Sequence, residues 1–224
     1  MLLKEYLKPS KGDIFVLMVF VFTALFLLLG IRIDASGFFV FGAYIPLSVK
    51  GGIGEVLWKN FHLLMAGFIF FAYIVLALED RETDLAKPFA VMLLFFLLTA
   101  FVFSFKFGFA FFGKSFLAIF SLLFSLYSFL LFFEVAVKSR VIGALILVLV
   151  NAFSGLITYL YNFRYFFKGS LEHIASALYY ALPVYGKFGL KSFDLRHLIF
   201  PFILLVASLV FKFVLLRRAS ENKA

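Results

Sequence analysis

Residues 77–88 read ALEDRETDLAKP, the one dense knot of charge between two long apolar runs. Glu79, Asp80, Arg81, Glu82, Asp84 and Lys87 fall between a run that ends near Leu78 and another that begins near Phe89. An ionised side chain near a bilayer centre costs at least ~2.5–3.5 kcal/mol, so charge of this density belongs in water at a membrane surface. A connection this short makes the flanking helices antiparallel neighbours. The knot therefore reads as a compact polar cap over a helix hairpin, and as a docking point for whatever stands in the adjoining aqueous phase.

The rest of the composition agrees with a membrane setting. Of 224 residues, 65% are hydrophobic and 15% charged, against about 45–50% and 25% in soluble domains. The length allows about six spans of ~20 residues with modest loops and leaves no room for a separate soluble catalytic domain. The 37 phenylalanines suit both lipid and packed helices and carry little chemical information. A formal net charge of +9 would point to nucleic acid in a soluble protein. Here the basic residues sit mainly at the ends of apolar runs, so membrane lipids and topology, not nucleic acid, are their expected use. With no cysteine, disulfides, thiolate metal sites and a cysteine nucleophile are excluded.

Working outward from the knot, the expected fold class is all-α, a single polytopic membrane domain over residues 1–224. Six spans are expected, at residues 14–31, 61–78, 89–105, 116–137, 141–163 and 198–216. Ahead of the first, Leu2, Leu3, Tyr6 and Leu7 give a short amphipathic element that Pro9 stops. Between the first two spans, residues 38–49 are moderately apolar but punctuated by Gly42 and Pro46, too short and broken to cross. Trp58 marks an interfacial start for the second span. Before the last span, Leu171, Ile174, Ala175, Leu178 and Leu182 recur at helical spacing, which predicts a surface helix on the membrane, ended by Pro183.

Six spans place both termini on one side. If that side is cytoplasmic, its segments hold 11 Lys and Arg against 10 opposite. The cytoplasmic segments are about half as long in total, so their basic density near span ends is roughly double. Both termini are therefore expected inside, in the cell's plasma or inner membrane.

Candidates for chemistry are few. His62, His173 and His197 lie in separate segments, none with a second ligand three or four positions on, so no metal site or cofactor is expected. HExxH, GxSG and paired intramembrane aspartates are missing, and no catalytic residue is assigned. Two polar stripes stand out. Ser121, Ser125 and Ser128 share a face of the fourth span, and Asn151, Ser154 and Thr158 share a face of the fifth. Small polar residues at this spacing usually join helices, and the other use is to line a translocation route. Glu134 stands four residues before Lys138, the spacing of an intrahelical ion pair.

The six-span layout, the amphipathic start, the charged connection ending in Lys87-Pro88 and the surface segment before the last span together resemble the permease subunits of ABC-2-type transporters. Many of those have, after their second span, a pattern close to E-x-x-x-G-T-L…P, which maps here to Glu79, Glu82, Thr83, Leu85, Lys87 and Pro88. The tract Tyr179-Tyr180-Ala181-Leu182-Pro183 also looks like the family's external segment. The resemblance covers most of the chain by layout and about a dozen residues by motif.

What the resemblance implies is a multi-pass transport permease that pairs with a separate cytoplasmic ABC ATPase and with a second permease copy or paralogue as a dimer. Glu79, Asp80, Arg81, Glu82, Thr83, Asp84, Lys87 and Pro88 would form the ATPase-coupling loop. No G-x-x-x-x-G-K-[ST] loop occurs, so ATP hydrolysis is expected in the partner and not in this chain. The alternative from another class is a non-transport scaffold or assembly subunit, or a membrane enzyme acting on lipid.

Overall fold

The computed structural model describes residues 10–34, 37–40, 43–46, 53–79, 84–107, 112–166, 169–189 and 193–221. The expected amphipathic element before Pro9 lies outside them. Helix α1, Lys11–Leu25, begins at the Ser10 N-cap. Ser10 Oγ accepts the Asp13 amide at 3.1 Å and Asp13 Oδ2 accepts the Ser10 amide at 2.9 Å, a reciprocal capping box. A π-helical turn, Phe26–Gly30, continues α1 into a small antiparallel meander of β1, Ile31–Asp34, β2, Gly37–Val40, and β3, Ala43–Pro46. Its register pairs Arg32 with Phe39 and Phe38 with Ile45. The meander is the one departure from an all-helical architecture among the described residues. It occupies the segment whose glycines and proline argued against a span, where aromatic and β-branched residues such as Phe38, Val40 and Ile45 favour extended backbone.

Helices α2, Ile53–Glu79, α3, Ala86–Phe107, and α4, Phe112–Ala136, form an antiparallel core. Helix α4 is its axis. It packs on α2, α3, α5 and α8, and Ala118, Ile119, Leu122, Leu123, Leu126 and Leu130 are all buried. The phenylalanines do the packing: Phe89 meets Phe120 and Tyr127 edge-on, and Phe112, Phe116, Phe120 and Phe124 stack along α4 at one-turn intervals. Helix α5, Arg140–Ala152, crosses α4 closely at Gly143, where an added Cβ would stand 2.9 Å from Phe133 Cβ. Helix α8, Ile199–Glu221, lies against α4, and of the four helices long enough to cross a membrane it has the smallest buried share, 11%.

Among the described residues, four helices are long and apolar enough to cross a membrane, and a fifth is added if the pair α5 and α6, Ser154–Asn162, counts as one span. The expected six are not all met. The fifth expected span, residues 141–163, is broken near Phe153, and its halves are bent by 58°. In the first, residues 14–31, α-helix reaches only to Leu25, and the whole of α1 is 15 residues, a rise of about 22 Å, short of the ~30 Å hydrocarbon core. Beyond α6 come a 3-10 turn at Arg164–Phe166, helix α7, Ser170–Ala181, and 3-10 turns at Tyr185–Phe188 and Leu195–Leu198.

Candidate functional site

The charged cap is built into the bundle. Its first residue, Glu79, ends α2 and reaches the start of α1. Glu79 Oε2 accepts the Gly12 amide at 3.0 Å and the Ser10 hydroxyl at 3.3 Å, while Oε1 accepts the same amide at 3.2 Å. These are orphan donors of a helix N-terminus, where the macrodipole also favours an anion. Gly12 is needed for the approach, because a Cβ there would come within 2.3 Å of Glu79 Oε2 and 2.4 Å of Leu76 Cδ2.

A second tie comes from α3. Lys87 Nζ stands 3.1 Å from Asp13 Oδ2, with both side chains more than four-fifths buried. Asp84 Oδ1 accepts the Ala86 amide at 3.3 Å and caps α3, and Pro88 sits in the first turn, where its missing N–H costs nothing. From inside the hairpin, the Tyr73 hydroxyl donates to the Leu85 carbonyl at 3.3 Å. Glu79 and Lys87, through Ser10, Gly12 and Asp13, thus form a clasp that binds α1 to α2 and α3 at one end, with Asp84 and Pro88 at the start of α3. Asp80, Arg81, Glu82 and Thr83 lie outside the described residues.

Beside the clasp, a cleft of about 200 Å³ is lined by Leu78, Glu134, Lys138, Ser139, Arg140 and Val141. The partner of Glu134 is Arg140, not Lys138: Nε and Nη2 donate to its two oxygens at 2.8 and 2.9 Å. Lys138 takes a left-handed backbone, φ 57°, as the chain turns out of α4. That turn carries the next residues round, so Arg140, at the first position of α5, faces back to Glu134.

The two polar stripes lie in different settings. Ser121 and Ser125 are buried and donate back to Leu117 and Ser121 carbonyls at 2.6 and 2.7 Å. Ser128 is fully buried, and its hydroxyl has no hydrogen-bond partner among the described residues. Asn151 is buried in α5, whereas Ser154 is half-buried and Thr158 exposed on α6 beyond the bend, so the predicted common face is divided.

At the opposite end lies a cluster that the sequence reading left unassigned. Tyr161 stacks on Tyr179 at 3.8 Å and shares a 3.0 Å hydroxyl contact with Tyr180. The Arg164 guanidinium lies 3.9 Å from the Tyr161 ring centre and 4.1 Å from that of Tyr165, whose hydroxyl it also binds. Lys187 is buried, 4.2 Å from the Tyr179 ring centre, and donates to the Leu182 carbonyl at 3.0 Å. Burial pushes its ammonium down to about 7. The Tyr161 hydrogen bond, then burial, raise the Tyr180 phenol to about 12. Asp194 is held below the usual carboxylate range by the Arg196 backbone amide. One signal was present in the chain, since six of its ten tyrosines fall within residues 159–185. No group of three or more His, Asp or Glu among the described residues is placed to hold a metal ion.

Comparison with known proteins finds no matching family model, no matching curated protein and no matching solved structure.

Proposed function

We propose that this chain is the membrane subunit of an ATP-driven transporter of the ABC-2 type, working with a separate cytoplasmic ATPase and a second permease copy. The observation that supports this reading is the clasp. A body that displaces the cap would move α2 and α3 directly and, through Glu79 to Gly12 and Lys87 to Asp13, α1 as well. In this reading α1 with its π turn and the bent α5–α6 pair complete six crossings of the plasma or inner membrane. The clasp end and both termini face the cytoplasm. The substrate is carried past the bundle, and this chain performs no hydrolysis.

The deciding experiment separates docking from the internal clasp. Asp80→Asn with Glu82→Gln changes the cap outside the clasp, while Glu79→Gln changes the clasp itself. Each variant is co-purified with a candidate ABC ATPase. Truncating one side of a buried charge pair costs an interface ~2–5 kcal/mol, so the cap pair is expected to lose ATPase recovery while inserting normally. Equal recovery from wild type and the cap pair would overturn the coupling role and favour a scaffold.

A further inference from the structure

We infer that the bundle end built by α6, α7 and the turn before α8 is a seat for anionic phospholipid, with Arg164 and Arg196 contacting headgroup phosphate and one row of α7 against the acyl layer. Helix α7 has two distinct sides. Ala175 is buried, and Tyr179 and Tyr180 turn toward Tyr161. Leu171, Ile174 and Leu178 are 59%, 51% and 42% exposed and fall within about 60° of one another on the helix. His173 is exposed, away from that row. One side on protein and one apolar and open is the arrangement of a helix lying in a membrane interface.

The cations on the tyrosine side of α7 point to the headgroup. Residues 164–197 carry five Lys and Arg against two Asp and Glu. Arg164 is held in place between two tyrosine rings, with one donor on the Tyr161 carbonyl at 2.8 Å and one on the Tyr165 hydroxyl. Among the described residues, three of the five N–H donors of its guanidinium are not taken up. Arg196 lies 5.3 Å from the Tyr180 ring centre, and its side chain is 67% exposed. Asp194 takes its Nε at 2.9 Å, which offsets part of the charge and leaves the Nη donors. Tyr180 and Tyr161 touch, so the two guanidiniums belong to one patch. The apolar row commits the occupant to lipid, since a soluble phosphate would have no use for it.

The test uses the full chain in nanodiscs containing a photoactivatable phosphatidylglycerol or phosphatidylcholine analogue, with labelled peptides mapped by mass spectrometry. Labelling of residues 164–197 is read relative to that near Lys212. Phosphatidylglycerol is expected to label the segment in preference to phosphatidylcholine. Arg196→Gln, at an exposed side chain, is expected to lower that labelling about fivefold, and Arg164→Gln with Arg196→Gln about thirtyfold, each basic residue near an anionic surface being worth about a factor of five. Equal labelling by the two lipids, or labelling unchanged in Arg196→Gln, overturns the seat. Loss of labelling to millimolar inorganic phosphate also overturns it, in favour of a soluble-anion site.

Discussion

Asn151 donates to the Pro183 carbonyl at 3.1 Å and accepts the Tyr185 amide at 3.0 Å, so one buried side chain of α5 holds the chain that returns from α7. Its Nδ2 also donates to Leu147 within α5 at 2.9 Å. Replacing it with leucine strands a carbonyl and an amide in the interior, at about 1–3 kcal/mol for each unsatisfied group. Asn151→Leu is expected to lower the thermal midpoint in detergent and to open Lys187 to trypsin. An unchanged cleavage rate at Lys187 would assign the segment's order to other contacts.

The clasp makes a paired prediction. Gly12→Ala places a methyl group where the Glu79 carboxylate and Leu76 stand, and Glu79→Gln removes the anion from the α1 N-terminus, worth up to about 1 kcal/mol at an exposed position. Hydrogen exchange at residues 11–14 is expected to quicken about fivefold in Glu79→Gln, and the double variant is expected to add little to Gly12→Ala alone. Full additivity would mean that the two residues act separately.

Lys187 makes the segment between α7 and α8 sensitive to pH. Its pKa lies near 7 in the fold because of burial, against 10.5 for an unperturbed lysine. Between these values the unfolded chain holds a proton that the folded chain has lost, so stability rises with pH across that window. Below pH 7 both states are protonated, and the cost of burying the charge is present in full. Lys187→Met is expected to flatten this dependence and raise the thermal midpoint most at acid pH. A wild-type midpoint that falls between pH 7 and 10 relative to the variant contradicts the assignment.

Ser128 separates packing from pathway. Its buried hydroxyl has no partner among the described residues, so Ser128→Ala is expected to be neutral or to stabilise by up to about 1 kcal/mol. Should the variant instead abolish transport while remaining folded, the stripe on α4 lines a route.

Topology has its own check. Reporters fused after Ala224 and inserted near Arg140 are expected to report the cytoplasm, and one near Gly52 the outside. A reporter at Gly52 that reads cytoplasmic would remove α1 as a crossing.

The helical frame was legible because hydrophobic runs of 18 residues or more admit few other readings. The α2–α3 hairpin followed directly from the charge between its arms. The meander was not legible, since its strands are four residues each and their pairing is a tertiary fact. Nor was the break at Phe153, which no proline marks. Spacing also misled at Glu134: four residues to Lys138 suggested a helical pair, but α4 ends at Ala136, and the turn brings Arg140 instead. The cap residues were singled out for their charge, yet where that charge points depends on α1, 67 residues away from Glu79 in sequence.

That separation has a consequence during synthesis. When Gly12 leaves the ribosome, the carboxylate that will cover the first turn of α1 has not emerged, and 67 further residues must be added before it does. At roughly 5–20 residues per second this is an interval of about 3–13 s. Throughout it, the start of α1 has only its own capping box from Ser10 and Asp13. Local capping gives the helix a defined beginning while it waits, and the later arrival of Glu79 fixes where that beginning sits relative to the rest of the chain.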